Sequence, residues 1–133
     1  MGLSDHTVGA VLAVSDLAAA RGFYEGQLGL RPGESDDQGV AYPCGDGTSL
    51  FVYLSPENAG KNPATSAGWD VDDLDASMAE LASRGVVFEQ YDQPGIKTDD
   101  RGVFDAGAFR AAWMKDPDGN TLAMTERATT RAS

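Results

Sequence analysis

The side chains of this chain that can carry out acid–base or metal chemistry are almost all carboxylates. There are 21 Asp and Glu residues, but a single histidine, His6, and a single cysteine, Cys44. A Ser-His-Asp or Cys-His arrangement needs a histidine held beside the nucleophile, whereas His6 stands near a chain terminus, where segments tend to fray. Cys44 lies between Pro43 and Gly45 with no histidine nearby in sequence to activate its thiol. Nucleophilic hydrolysis is therefore not expected.

Most of the carboxylates have a predicted structural role. The run Asp-Pro-Asp-Gly-Asn at 116–120 is typical of a tight turn, because proline presets φ and glycine accepts a positive φ. Four acids stand where helices are predicted to start: Asp16, Asp72, Asp73 and Asp75. Asp70 and Glu89 fall in predicted strands instead, and we take them as the acids available to a site.

Composition narrows the choice of partners. The formal net charge is -11 and the pI is near 4.2, which disfavours nucleic acids and anionic membranes because both require clustered Lys and Arg. No apolar run approaches a membrane span, and the first residues lack the pattern of a secretory leader. A lone cysteine suits a reducing compartment. We therefore expect a cytoplasmic protein whose partner is a small organic molecule.

Hydrophobic patterning predicts the order β-α-β-β-β twice within one domain, residues 1–133. The first module spans residues 7–55, and its predicted elements are a strand at 7–14, a helix at 17–27 and strands at 30–34, 38–43 and 48–54. The second spans residues 64–127, with a strand at 65–71, a helix at 74–84 and strands at 86–91, 108–115 and 121–126. A Pro- and Gly-containing linker, 56–63, joins them, and the tail, 128–133, is expected to fray.

Two further features support and extend this organisation. Val14-Ser-Asp-Leu-Ala-Ala aligns with Val71-Asp-Asp-Leu-Asp-Ala at an offset of 57 residues, which indicates an internal duplication. The second module also has an additional loop, 92–107, that is too long for an ordinary hairpin. Such loops are often lids or binding loops, and whether this one closes over a site is left open.

Three segments resemble one known family. They are Val14-Ser-Asp-Leu-Ala-Ala-Ala-Arg-Gly-Phe-Tyr24 with Leu28-Gly-Leu30, Gly68-Trp-Asp-Val-Asp-Asp-Leu-Asp-Ala76, and Ala112-Trp-Met-Lys-Asp-Pro-Asp-Gly-Asn-Thr-Leu122. In this order and spacing they resemble the vicinal oxygen chelate superfamily, also called the glyoxalase/bleomycin resistance protein/dioxygenase family. The resemblance implies an α+β fold in which two βαβββ modules form a curved mixed β-sheet cup, usually within a homodimer. Whether modules are exchanged between subunits is left open.

The resemblance also implies four metal-ligand positions, one in the first and one in the last strand of each module. Counting back seven residues from Asp16 and Asp73 places two of them at Gly9 and Ser66. The other two fall at Tyr53 and Ala123. Divalent metals in such sites are held by His nitrogen or carboxylate oxygen, and none of the four residues supplies either. We therefore expect no metal and no other cofactor in the cup.

Period-2 alternation indicates which side chains line the cup. Phe51 and Tyr53 share one face of their strand, and Ser66 and Asp70 share a face of theirs. The predicted ligand-binding residues are Phe51, Tyr53, Ser66, Asp70, Glu89 and Trp113, with Phe109 and Arg110 at the rim. Apolar walls with a few polar groups are typical of a small-molecule pocket.

Two functions follow as hypotheses. The first is a metal-free binding protein that sequesters a drug-like or cationic metabolite, as the bleomycin resistance branch of the family sequesters an antibiotic. The second is a glyoxalase-like lyase or isomerase, or a dioxygenase-related enzyme, with Asp70 or Glu89 as general base. An interaction domain without a ligand is a third possibility. The sequence does not identify the ligand.

Overall fold

The computed structural model describes residues 2–128. The first sheet has the order β1-β3-β2, in which β1 (Ala10–Val14) runs parallel to β3 (Ser49–Leu54) and β3 is antiparallel to β2 (Gly39–Pro43). Residues 129–133 of the predicted tail lie outside the described range.

The helix of the first half begins at the predicted residue. Helix α1 (Leu17–Arg21) starts where the Asp16 side chain accepts a hydrogen bond from the Ala19 amide, as expected for an N-cap. It continues as a wider π-helical segment over Gly22–Gln27, so the two segments together match the predicted helix at 17–27.

The second sheet has the order β4-β9-β8-β7. Strand β4 (Thr65–Asp70) is parallel to β9 (Thr121–Arg127), which pairs antiparallel with β8 (Phe109–Lys115), and β8 pairs with the short β7 (Phe104–Asp105). Helix α2 (Leu74–Ser83) follows β4, and Asp73 caps it through the Ala76 amide. A separate hairpin joins β5 (Asp92–Gln93) to β6 (Ile96–Lys97).

Two predicted strands are wrong. Residues 30–34 form no strand, although Gly33 and Glu34 exchange backbone hydrogen bonds with Ala41 and an isolated bridge joins Ser35 to Val40. Residues 86–91 are likewise reduced to one bridge, between Phe88 and Met114. Both segments lie along a sheet but make too few backbone hydrogen bonds for a continuous ladder.

The core lies on the helix side of both sheets. Strands β1, β2 and β3 bury alternate residues there, and α2 contributes its apolar stripe of Leu74, Met78 and Leu81. The edge strands β1 and β4 lie next to each other, so the two sheets share one core. Helices α1 and α2 lie on the core side of the sheets, and we call the opposite side of each sheet the open face.

The turn at 116–120, predicted from its sequence, also joins the two halves. The side-chain Nδ2 of Asn120 donates to the Ala13 carbonyl (2.9 Å). Ser15 donates to the Asp118 carboxylate through both its backbone amide and its hydroxyl. The Tyr24 hydroxyl donates to Oδ2 of the buried Asp116 (2.8 Å). Burial of the phenol, with Asp116 beside it, raises the Tyr24 pKa far above its ordinary value, so this tyrosine stays neutral.

The α+β fold class is confirmed, with two helices laid against mixed sheets. Among residues 2–128, no helix has the length and apolar character needed to cross a membrane.

Candidate functional site

An exposed aromatic pair marks the open face of the first sheet. Phe51 and Tyr53 project from β3 on the side opposite Leu50 and Val52, which are buried. Their ring centroids are 6.2 Å apart and their planes differ by 2°. Phe51 is 40% exposed and the neighbouring Val11 is 61% exposed, so this surface is apolar and open to a ligand.

Gly39 on β2 makes room for the Phe51 ring. A Cβ atom placed on Gly39 would lie 2.7 Å from Cζ of Phe51, so the ring lies across the strand where a side chain is missing. Ala41, also on β2, pairs with Phe51 through the backbone and adds only a methyl group. The pair Phe51–Tyr53, which we call the aromatic platform, is therefore bordered by small side chains that leave its surface accessible.

A second aromatic group occupies the open face of the second sheet. Trp113 lies opposite Ala123, and its ring contacts Tyr91 (5.5 Å, edge to face) and Phe104 (6.1 Å). Its Nε1 donates to the Thr65 hydroxyl at 3.1 Å, which fixes the orientation of the indole. Burial raises the pKa of Tyr91, with Glu89 as a lesser contributor, so the phenol is neutral at physiological pH.

The partners of Trp113 were not predicted from the sequence. Phe104 and Tyr91 belong to the additional loop and to the mispredicted strand before it, so no alternation pattern assigned them a face. Phe109 contacts Phe104 (6.1 Å) and so borders this group. Arg110 instead faces the helix side, where it donates to Glu126 (3.1 Å) and Asp75 (3.2 Å), because successive strand residues point to opposite faces.

The predicted polar residues lie apart from one another. Asp70 lies at the end of β4, where its backbone pairs with Thr125 in the ladder. Its carboxylate is exposed and makes no hydrogen bond or ion pair within residues 2–128. Glu89 is half-buried, and its backbone amide donates to the Trp113 carbonyl at 2.8 Å. Ser66 sits at an irregularity in the ladder between Thr65 and Ala67, so its side chain does not follow the simple alternation that grouped it with Asp70.

The four positions to which the resemblance assigns metal ligands carry no carboxylate, imidazole or thiolate side chain. Gly68 pairs with Ala123, and Tyr53 pairs with Ala13 and Gly39, so their nearest neighbours on the sheet are also without carboxylates or imidazoles. Within residues 2–128, no group of three or more His, Cys, Asp or Glu side chains could hold a metal ion. Glu126, three residues from Ala123, is on the other face, where it accepts from the Leu74 amide at the start of α2 (3.0 Å). The residues present do not fit a divalent metal.

The additional loop is partly ordered by its own hydrogen bonds. It contains the hairpin of β5 and β6 and then β7, and the Tyr91 amide donates to the Thr98 hydroxyl at 2.8 Å. Asp99 accepts from the amides of Arg101 and Val103, and these bonds, with the one to Val103 foremost, lower the pKa of its carboxyl. The loop thus has a defined shape and supplies Phe104 to the aromatic group around Trp113.

Two mixed sheets, with one helix following the first strand of each half, define an α+β protein whose sheets leave one face free of helices α1 and α2. The family model of the Glyoxalase/Bleomycin resistance protein/Dioxygenase superfamily matches residues 4–124, and the chain belongs to that family. The resemblance inferred from the three sequence segments is thereby confirmed.

Solved structures agree. A glyoxalase/bleomycin resistance protein from Catenulispora acidiphila DSM 44928 is 27% identical, with a TM-score of 0.67 over 90% of this chain and 96% of that chain. An antibiotic-binding protein from Streptomyces sp. CB03234 is 24% identical, with a TM-score of 0.64 over 92% and 96%. A lactoylglutathione lyase from Agrobacterium tumefaciens is 19% identical, with a TM-score of 0.63 over 90% and 91%. No curated protein matches the chain. At these identities the last two comparisons show a shared fold only. One of these two proteins is named for antibiotic binding and the other for an enzymatic activity.

Proposed function

We propose that this protein binds a small organic molecule on its open face without a metal ion. The observation that carries the proposal is the donor set: the family's ligand positions hold Gly9, Tyr53, Ser66 and Ala123. A position without the expected carboxylate or imidazole is available for contact with an organic ligand, and Tyr53 occupies such a position as half of the aromatic platform. The antibiotic-binding protein of the same fold supports this choice by analogy.

The ligand's chemistry follows from the surface that would contact it. Exposed aromatic rings favour a flat aromatic compound, which stacks on them and buries apolar area. Asp70 is unpaired in the described structure, and the formal net charge is -11, so a positive charge on the ligand is favoured over a negative one. The proposal extends to a cytoplasmic homodimer, with module boundaries as predicted from the sequence.

The enzymatic alternative has less support. A carboxylate acting as general base near neutral pH is normally buried, since loss of water raises its pKa. Asp70 is exposed, and Glu89 is half-buried at a sheet edge beside Trp113. Neither carboxylate is buried, so binding is the function better supported by the geometry.

Thermal unfolding in the presence of three flat aromatic probes tests the proposal. Berberine is cationic, coumarin neutral and salicylate anionic. At about one hundred times its Kd, a ligand stabilises the folded state by about 2.7 kcal/mol, which raises Tm by roughly 5 to 10 °C for a domain of this size. We expect the largest rise with berberine, unchanged by a chelator. A larger rise with salicylate would contradict the predicted charge preference, and no rise with any probe would count against the aromatic ligand class.

Substitutions in the aromatic platform test its role separately. Phe51→Ala and Tyr53→Ala should each weaken berberine binding roughly tenfold, because stacking and apolar contact with one ring contribute about 1.4 kcal/mol. Calorimetric titration measures the change. Val87→Ala is the control, since Val87 is an exposed apolar residue (78%) outside the platform, and it should bind as the unmodified chain does. Equal affinity in all three variants would place the ligand elsewhere.

A further inference from the structure

A cleft lies on the helix side of the second sheet, opposite the open face. The segment after the first helix, with Leu28 and Leu30, forms one wall, and Ser77 and Leu81 of α2 form the other. Trp69, Met114 and Met124 lie between these walls. We call this the helix-side cleft; its volume is about 390 Å³, within the range of small-molecule sites and too small for a helix.

Reciprocal hydrogen bonds fix one end of the helix-side cleft. Arg84 Nε donates to the Gln27 carbonyl (2.7 Å), and the Gln27 side chain donates to the Arg84 carbonyl (3.3 Å). These bonds tie the end of the first helix to the end of α2, so the two walls are held at a set distance. A cleft held open in this way spares a ligand the cost of opening it.

The lining favours an aromatic ligand. Trp69 is only half-buried although it packs on the core, so part of its indole faces the cleft. Met114 and Met124 also line the cleft, and Met124 is the partner of Trp69 in the β4–β9 ladder. Methionine side chains adapt to the shape of aromatic rings and make favourable sulfur contacts with them. A compact ring between Leu30 and Trp69 would bury apolar surface on both sides.

The charged residues at the rim disfavour an anion. Arg84, which is the cation of this lining, is already engaged by the Gln27 carbonyl and by Glu80 at 3.4 Å. Glu80 at the same rim would repel a carboxylate. We propose that the helix-side cleft is a second binding site, specific for a small uncharged aromatic molecule and independent of the open face.

The two tryptophans of the chain, Trp69 and Trp113, allow each site to be followed alone. In a Trp113→Phe background, Trp69 fluorescence reports on the helix-side cleft, and phenethyl alcohol is the probe. We expect a saturable change in emission, and roughly threefold or more weaker binding of phenylpropionate, its anionic counterpart, because Glu80 stands at the rim and Arg84 is already engaged. No change in Trp69 emission, or equal binding of the anion, would overturn the proposal.

A filled cleft provides the matched control. Ser77→Phe places a ring into the cleft and should abolish the Trp69 response, whereas Ser83→Phe makes the same change on an exposed part of α2 and should leave it intact. Calorimetry of the unmodified chain and of Ser77→Phe repeats the comparison without altering either tryptophan. A response that survives Ser77→Phe would refute the site. In a Trp69→Phe variant, Trp113 reports on the open face, so failure of one site is seen separately from failure of the other.

Discussion

Replacing Asp116 by alanine is expected to destabilise the protein by about 4 kcal/mol, a large part of the 5–15 kcal/mol that holds a typical domain folded. Asp116 is 5% exposed and accepts four hydrogen bonds. Its Oδ1 receives the amides of Asp118 (3.0 Å) and Asn120 (2.9 Å), and its Oδ2 receives the Tyr24 hydroxyl and the Asn120 side chain (2.8 Å each). Alanine would leave buried donors without an acceptor.

Equilibrium unfolding in urea measures the effect, and two variants calibrate it. Tyr24→Phe removes one of the four bonds and should cost about 1 to 2 kcal/mol. Asp37→Ala removes an exposed loop carboxylate and should change stability by no more than about 0.5 kcal/mol. If Asp116→Ala unfolded at the same urea concentration as Asp37→Ala, the turn could not be the cross-link between the two halves that the structure shows.

Gly60→Ala is expected to cost about 3 kcal/mol or more, the second large effect. Gly60 has φ +65°, and a Cβ atom placed on it would overlap the carbonyl oxygen of Asp118, which belongs to the same turn. The left-handed conformation alone costs an L-residue about 1 to 2 kcal/mol, and the clash with rigid backbone adds to this. The Gly60 amide also donates to Asn120 Oδ1 at 3.2 Å, so any shift of the linker would strain the turn.

Gly95→Ala separates the two costs. Gly95 also has positive φ (+88°), but nothing lies within 4 Å of a Cβ placed there. It should therefore show the conformational cost without the clash, about 1 kcal/mol, in the same unfolding measurement. Equal destabilisation by Gly60→Ala and Gly95→Ala would mean that the linker does not pack against the turn.

These two predictions show what sequence patterning could and could not supply. The Asp-Pro-Asp-Gly-Asn run correctly predicted a turn, because turn chemistry is local. The role of Asp116 as acceptor for Tyr24, 92 positions away, depends on how the two halves pack, and no local pattern encodes it. The same limit explains the mispredicted strands at 30–34 and 86–91, since the length of an edge ladder is decided by its neighbour.

For similar reasons, the sequence predicted the positions of some residues of the candidate site and not of others. Phe51 and Tyr53 lie on one face as alternation indicated, because β3 is a central, regular strand. Ser66 departs from its alternation because β4 contains a register shift between Thr65 and Ala67. Tyr91 and Phe104 join Trp113 only through the folding of the additional loop, whose shape depends on contacts such as the one between Tyr91 and Thr98.

The side chains at the expected ligand positions differ from those that metal-dependent members of the family require. Lewis-acid chemistry requires side chains that hold the ion, and positions 9, 53, 66 and 123 carry glycine, tyrosine, serine and alanine. The glycine and alanine have no side-chain donor. Family membership fixes the fold, and the residues at these positions are the basis of our proposal that the chain binds an organic ligand rather than catalysing a metal-assisted reaction.

Elemental analysis of the chain purified without chelators tests this central claim most directly. The account predicts that zinc, nickel, manganese, iron and cobalt are each present far below one ion per chain, and that adding them does not change Tm. One tightly held ion per chain, retained through dialysis and lost together with thermal stability on chelation, would contradict it.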